Sequence, residues 1–123
     1  MLAAPFFTAR WRWRMTPEQL ITQRLEQVEA IMHEHDLWQT TSPQASAFES
    51  REPFCLDTLE PLEWLQWVLI PHMHALIAAQ QPLPKNFAIA PYFEMALAPA
   101  QAGRPLLLLT LRQLDALFMD DAV

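Results

Sequence analysis

A single glycine in 123 residues, against eleven prolines, is the feature that most restricts what this chain can fold into. Tight β-hairpins need residues at positive φ, usually glycine or an Asn-Gly pair, and the chain has almost none. Proline is at home in the first turn of a helix, where its missing N–H would have no intrahelical partner anyway. The prolines at 17, 61, 91 and 105 each stand at the head of an apolar stretch. β-Branched residues are sparse, and Leu, Ala, Met and Trp dominate a composition that is 52% hydrophobic. The expectation is one all-α domain, large enough to bury a core without disulfide or metal.

Thr16-Pro17-Glu18-Gln19 reads as a capped helix start, with Gln19 completing a capping box on Thr16. Leu20, Ile21, Leu25, Val28, Ile31 and Met32 then fall on about 140° of arc at 100° per residue. This predicts a first helix from about 17 to 36, with His33 and His35 in its last turn. Residues 39–57, "QTTSPQASAFESREPFCLD", show no helical period. A connection of this length exceeds the usual range of about 12–15 residues, and its Phe48, Phe54 and Cys55 are apolar enough to hold it against the body. A second helix begins near Thr58 or Glu60, where Asp57, Glu60 and Glu63 match the positive end of the helix dipole, and runs to about Ala79. Pro71 lies inside it and predicts a kink or a break, because its ring meets the carbonyl of Trp67. After an extended "QQPLPKNFAIAP" come a short helix over about 91–97, a loop holding Gly103, and a last helix from Pro105. The leucines of that last helix cover most of its circumference, which predicts deep burial.

The second helix is apolar on two sides. Leu59, Leu62, Leu65, Leu69, Ile70, Met73, Leu76 and Ile77 share an arc of about 140°, an ordinary core stripe. Trp64, Trp67 and Val68 fall roughly opposite, with Pro71 among them, and a helix apolar all round is normally buried. Two readings follow. In one, segment 39–57 covers the tryptophans with Phe48 and Phe54. In the other, Trp64, Trp67 and Pro71, with Tyr92 and Phe93, form a partly open patch for a partner or ligand.

Catalytic chemistry is poorly supported. His33 and His35, like His72 and His74, are two residues apart, so on a helix they point about 200° from each other and neither pair chelates one ion. Asp57, Glu60, Glu63 and Glu94 are candidate acids and bases, but a solvated helix start explains the first three more simply. Cys55 has no evident base to activate it. There is no glycine-rich phosphate loop and no serine elbow. The expectation is a non-enzymatic protein with no catalytic, cofactor-binding or metal-binding residues.

The formal charge is −6, with 8 basic residues against 14 acidic. That disfavours direct contact with nucleic acid or anionic membrane and favours a protein partner with a basic surface. Three of the basic residues stand in "RWRWR", Arg10 to Arg14. Residues 1–14 read as an N-terminal extension, disordered or upstream of a true start at Met15, ahead of a helical domain over 15–123. No apolar run approaches the roughly 18 residues of a membrane span. A lone cysteine excludes an internal disulfide and suits a reducing cytoplasm.

The phrases "DTLEPLEWLQWVLIP", "QPLP", "APYFEMAL" and "LDALF" together resemble the YqcC-like family of small bacterial proteins, over about Met15 to Asp121. The resemblance implies a small four-helix bundle, here with a long ordered loop between the first two helices, and no established catalytic activity or site. It also implies an association with tRNA pseudouridine synthase C, whose gene tends to lie beside those of the family. The functional expectation is an accessory, protein-binding module that assists a tRNA pseudouridine synthase through Trp64, Trp67, Pro71, Tyr92, Phe93, Phe48 and Phe54. The alternative is a small-ligand binder with an aromatic pocket between the second helix and segment 39–57.

Overall fold

The computed structural model describes residues 15–119; residues 1–14, the expected extension, and 120–123 lie outside the described part. Among the described residues there are helices and no strands. Helix α1 spans Pro17–Glu34, and the expected capping box is present. Gln19 N–H donates to Thr16 Oγ1 at 3.1 Å, and Thr16 N–H donates to Gln19 Oε1 at 3.0 Å. Its Ile21, Leu25, Val28 and Met32 are buried. The helix stops two residues short of the expected 36 because Asp36 turns left-handed, with φ 58°. Leu37 N–H then reaches back to the Met32 carbonyl at 2.7 Å, the closing bond of a Schellman motif.

Helix α2 runs from 61 to 78 in three parts: α-helical Pro61–Trp64, a π-helical turn over Leu65–Leu69, and α-helical Ile70–Ala78. Glu60 and Glu63 form its capping box, with Glu60 N–H donating to Glu63 Oε1 at 2.8 Å. Pro71 does not break this helix. The turn before it widens, so that Ile70 N–H bonds the Leu65 carbonyl five residues back. A strict α-turn would set the proline ring against the Trp67 carbonyl, and a wider turn is the kind of local adjustment that gives such a ring room. Backbone angles at Trp64, Leu65, Leu69 and Ile70 all stay right-handed helical, so the chain passes through in one piece. The helix ends in a second Schellman motif, with Gln80 at φ 56° and Gln81 N–H on the Leu76 carbonyl at 2.9 Å.

Helix α3, Ala90–Ala96, is short, and helix α4 covers Arg104–Ala116. Helix α1 packs chiefly on α4, and α3 also leans on α4. Leu107, Leu108, Leu111 and Leu114 of α4 are fully or nearly fully buried. The deep burial expected of α4 is corrected for two of its leucines: Leu106 and Leu109 are 53% and 48% exposed. Three helices cannot surround a fourth in a domain this small, so one face of α4 is left to solvent.

Segment 39–57 is ordered by two short 3-10 turns, Ala45–Glu49 and Pro53–Cys55. Ser50 Oγ donates to Asp57 Oδ1, and Thr58 Oγ1 donates to the Ala47 carbonyl at 2.6 Å. These bonds fold the segment back on itself before it enters α2.

Candidate functional site

Four of the seven residues singled out from the sequence meet in one aromatic cluster. The Phe54 ring stacks on Tyr92 at 4.1 Å between centroids and meets Trp64 edge-on at 4.8 Å. Tyr92 contacts Phe93 at 5.1 Å, and Trp64 lies 6.3 Å from Phe93. Placing Phe54 there requires a left-handed backbone, with φ 60° at Phe54 and 49° at Cys55. That conformation costs an L-residue about 1–2 kcal/mol. Two aromatic pairings of about 0.5–1.5 kcal/mol each, added to the area buried, offset it. The Tyr92 hydroxyl is buried without a hydrogen-bond partner among the described residues. Burial, and then the charge of Glu60, push its pKa up, so it stays a phenol.

The structure divides the expected patch. Phe93 is 0% and Trp64 9% exposed, so both belong to the core rather than to an open surface. Trp64 is covered by Phe54, one of the two phenylalanines of the covering reading. Phe48 does not join it, and stands 37% exposed. Trp67 is half-buried and Pro71 is exposed, so these two remain at the surface.

Trp67 is held by a polar clasp that the sequence did not reveal. Gln39 N–H donates to Gln66 Oε1 at 2.8 Å, and Gln66 Nε2 returns a bond to the Gln39 carbonyl at 2.7 Å. The Gln39 side chain accepts from the Trp67 indole N–H at 2.9 Å and donates to Glu63 Oε2 at 3.2 Å. Gln66 is only 3% exposed, and this reciprocal pairing is what satisfies its amide. Just before Gln39, Trp38 stacks on His33 at 4.9 Å. One continuous strip thus leads from Pro71 and Trp67 across Gln39 and Trp38 to the end of α1.

Beyond His33 the surface opens into two shallow hollows that share Glu26 and run between α1 and the C-terminal half of α2. One, of about 420 Å³, takes Glu26, Glu29, Ala30 and His33 from α1 and His74 from α2. The other, of about 350 Å³, includes Glu18 and Ile77. His33 and His74 therefore share a hollow even though each of the sequence pairs diverges. His33 Nε2 lies 3.7 Å from Glu29. Among the described residues no group of three or more His, Cys, Asp or Glu is arranged to hold a metal ion.

The candidate carboxylates have structural partners. Asp57 is bound by Ser50, Glu60 and Glu63 cap α2, and Glu94 pairs with Arg112. A carboxylate missed in the sequence is more deeply placed. Asp115 of α4 is 7% exposed and accepts from Ile89 N–H at 3.0 Å and Ala90 N–H at 2.8 Å. It caps α3 from another helix, which no local capping motif signals.

The family model DUF446, described as tRNA pseudouridine synthase C, matches residues 20–117. The uncharacterized protein YqcC of Escherichia coli K12 is 53% identical over 108 residues, which are 88% of this chain and 99% of that protein. The chain belongs to the YqcC-like family. An uncharacterized protein of Haemophilus influenzae is 51% identical over 75 residues, 61% of this chain and 71% of its own length. The solution NMR structure of E. coli YqcC superposes with a TM-score of 0.77 at 52% identity, over 89% of this chain and 93% of that one. The YqcC-like fold is therefore the all-helical bundle expected. A protein of Pectobacterium carotovorum named tRNA pseudouridine synthase C is 44% identical over 73 residues, 59% of this chain but only 19% of that protein. Among the described residues no helix is long and apolar enough to cross a membrane.

Proposed function

We propose that this protein is a non-enzymatic accessory module that binds a tRNA pseudouridine synthase in the cytoplasm. One observation carries the reading: a YqcC-like stretch makes up 19% of a chain named tRNA pseudouridine synthase C. Two units joined in one polypeptide stay at high effective concentration, an arrangement that serves units which work in contact. Separate chains that cooperate in the same way need a docking surface in place of the linker. The acidic composition favours a basic protein surface over RNA as the direct contact, and the half-buried Trp67 with the exposed Pro71 supplies an apolar anchor beside it.

The alternative, a small ligand between α2 and segment 39–57, meets an obstacle: Phe54 fills the space against Trp64 and Tyr92. A ligand there would first have to displace that ring.

Co-purification of the tagged protein with the synthase of the same organism tests the proposal. The wild type should retain the synthase, and Trp67→Ala, checked for folding by circular dichroism, should lose most of it. A synthase that never co-purifies with the wild type defeats the reading. Retention that ignores the substitution removes Trp67 from the contact.

A further inference from the structure

The groove between α1 and α2 sets Met15, Ala30 and Ile77 among polar side chains and has an acidic rim. Glu18, Glu26 and Glu29 all stand along it, and no Lys or Arg is among the described residues that line it. Arg24 is the sole Lys or Arg of α1. It lies two residues from Glu26 and so points about 160° away from it, where its guanidinium donates to Gln27. From Glu18 to His33 the groove follows α1 for about 22 Å at 1.5 Å per residue. That is the length of a helix of about fifteen residues.

We infer that this groove docks a Lys/Arg-bearing amphipathic helix of the protein partner, a step that rests on the accessory reading and specifies its surface. Charge complementarity selects the occupant. An anionic segment would be repelled along the whole rim, and RNA would find no Lys or Arg among the described lining residues to meet its phosphates. An apolar helix without cations would leave the rim glutamates desolvated and unpaired. A basic helix seats its apolar face on Ile77 and Ala30 and sets its cations against Glu18, Glu26 and Glu29. At the His33 end the groove joins the strip through Trp38 and Gln39 to Trp67, so both contacts lie on one continuous surface.

The test is the dissociation constant between the full chain and the purified synthase, measured by calorimetry at 50 and 300 mM NaCl after nuclease treatment. Wild-type binding should weaken with salt. Glu26→Lys with Glu29→Lys should weaken it at least tenfold at 50 mM and flatten the salt dependence, and Glu26→Gln with Glu29→Gln should fall between. Glu49→Lys with Glu52→Lys, on segment 39–57, should bind as the wild type does. Melting curves confirm that each variant folds, and the Gln pair decides if the Lys pair does not. Variants at 26 and 29 that bind within twofold of a binding wild type overturn the groove while leaving the accessory reading intact. Wild-type binding that disappears with nuclease overturns the groove in favour of RNA, and a wild type that never binds takes both proposals down.

Discussion

At the residue scale, the single glycine is where this fold is least forgiving. Gly103 precedes α4 with φ 74°, and a Cβ there would stand 2.7 Å from His35 Cδ2 at the end of α1. Gly103→Ala should therefore cost about 2 kcal/mol or more, from the left-handed backbone and from the contact together. Urea unfolding measures it, and adding His35→Ala should recover the steric part while the backbone part remains. An unchanged midpoint in the single variant would contradict the packing described. Elsewhere the chain does without glycine, and Asp36, Phe54, Cys55, Gln80 and Asn86 take positive φ in its place.

Asp115 gives a pH dependence whose sign is fixed by its surroundings. Burial raises its pKa above the ordinary 3.8, and the bonds from Ile89 and Ala90 pull it part of the way back. An acid whose pKa rises on folding holds its proton more tightly in the folded chain. Its contribution to stability is then fully present below the unfolded value and is lost as pH climbs through the folded one. The difference in urea midpoint between the wild type and Asp115→Asn, which does not titrate there, should shift in favour of the wild type as pH is lowered from 7 towards 4. A difference that is constant or moves the other way would rule out desolvation as the dominant influence.

At the scale of elements, α2 and segment 39–57 depend on each other. A proline inside a helix needs room for its ring, and the π-turn over Leu65–Leu69 provides it. The same turn carries Gln66 and Trp67, the two residues that clasp Gln39. Gln66→Ala would leave the backbone N–H and carbonyl of Gln39 without these partners, a loss of about 1–3 kcal/mol. Because the clasp anchors the start of the segment, trypsin should also cut several-fold faster after the exposed Arg51. If cleavage is unchanged, Phe54 alone holds the segment and the clasp is incidental. The capping boxes at Thr16 and Glu60 were legible because they are local, with partners three residues apart. The clasp was not, because its partners lie 24 to 28 residues apart and glutamine carries no periodic signal.

At the scale of the whole molecule, the scarcity of glycine, the placing of the prolines and the 3.6-residue period by themselves determined an all-α chain, the starts of its four helices and the core stripe of α1. These follow from backbone sterics and local hydrogen bonding, which act over a few residues and are written in the order of the chain. Only the tertiary structure decided which apolar faces are covered. Phe54 reaches Trp64 and Tyr92, so of the two readings open on the helical wheel the covered one holds at Trp64, while Trp67 and Pro71 stay at the surface and Leu106 and Leu109 of α4 face water. The same holds for the acidic groove, which exists because α1 lies beside the far half of α2 and brings Glu29 and His33 opposite His74. Which side chain covers another depends on where distant segments pack, and no short-range pattern fixes that.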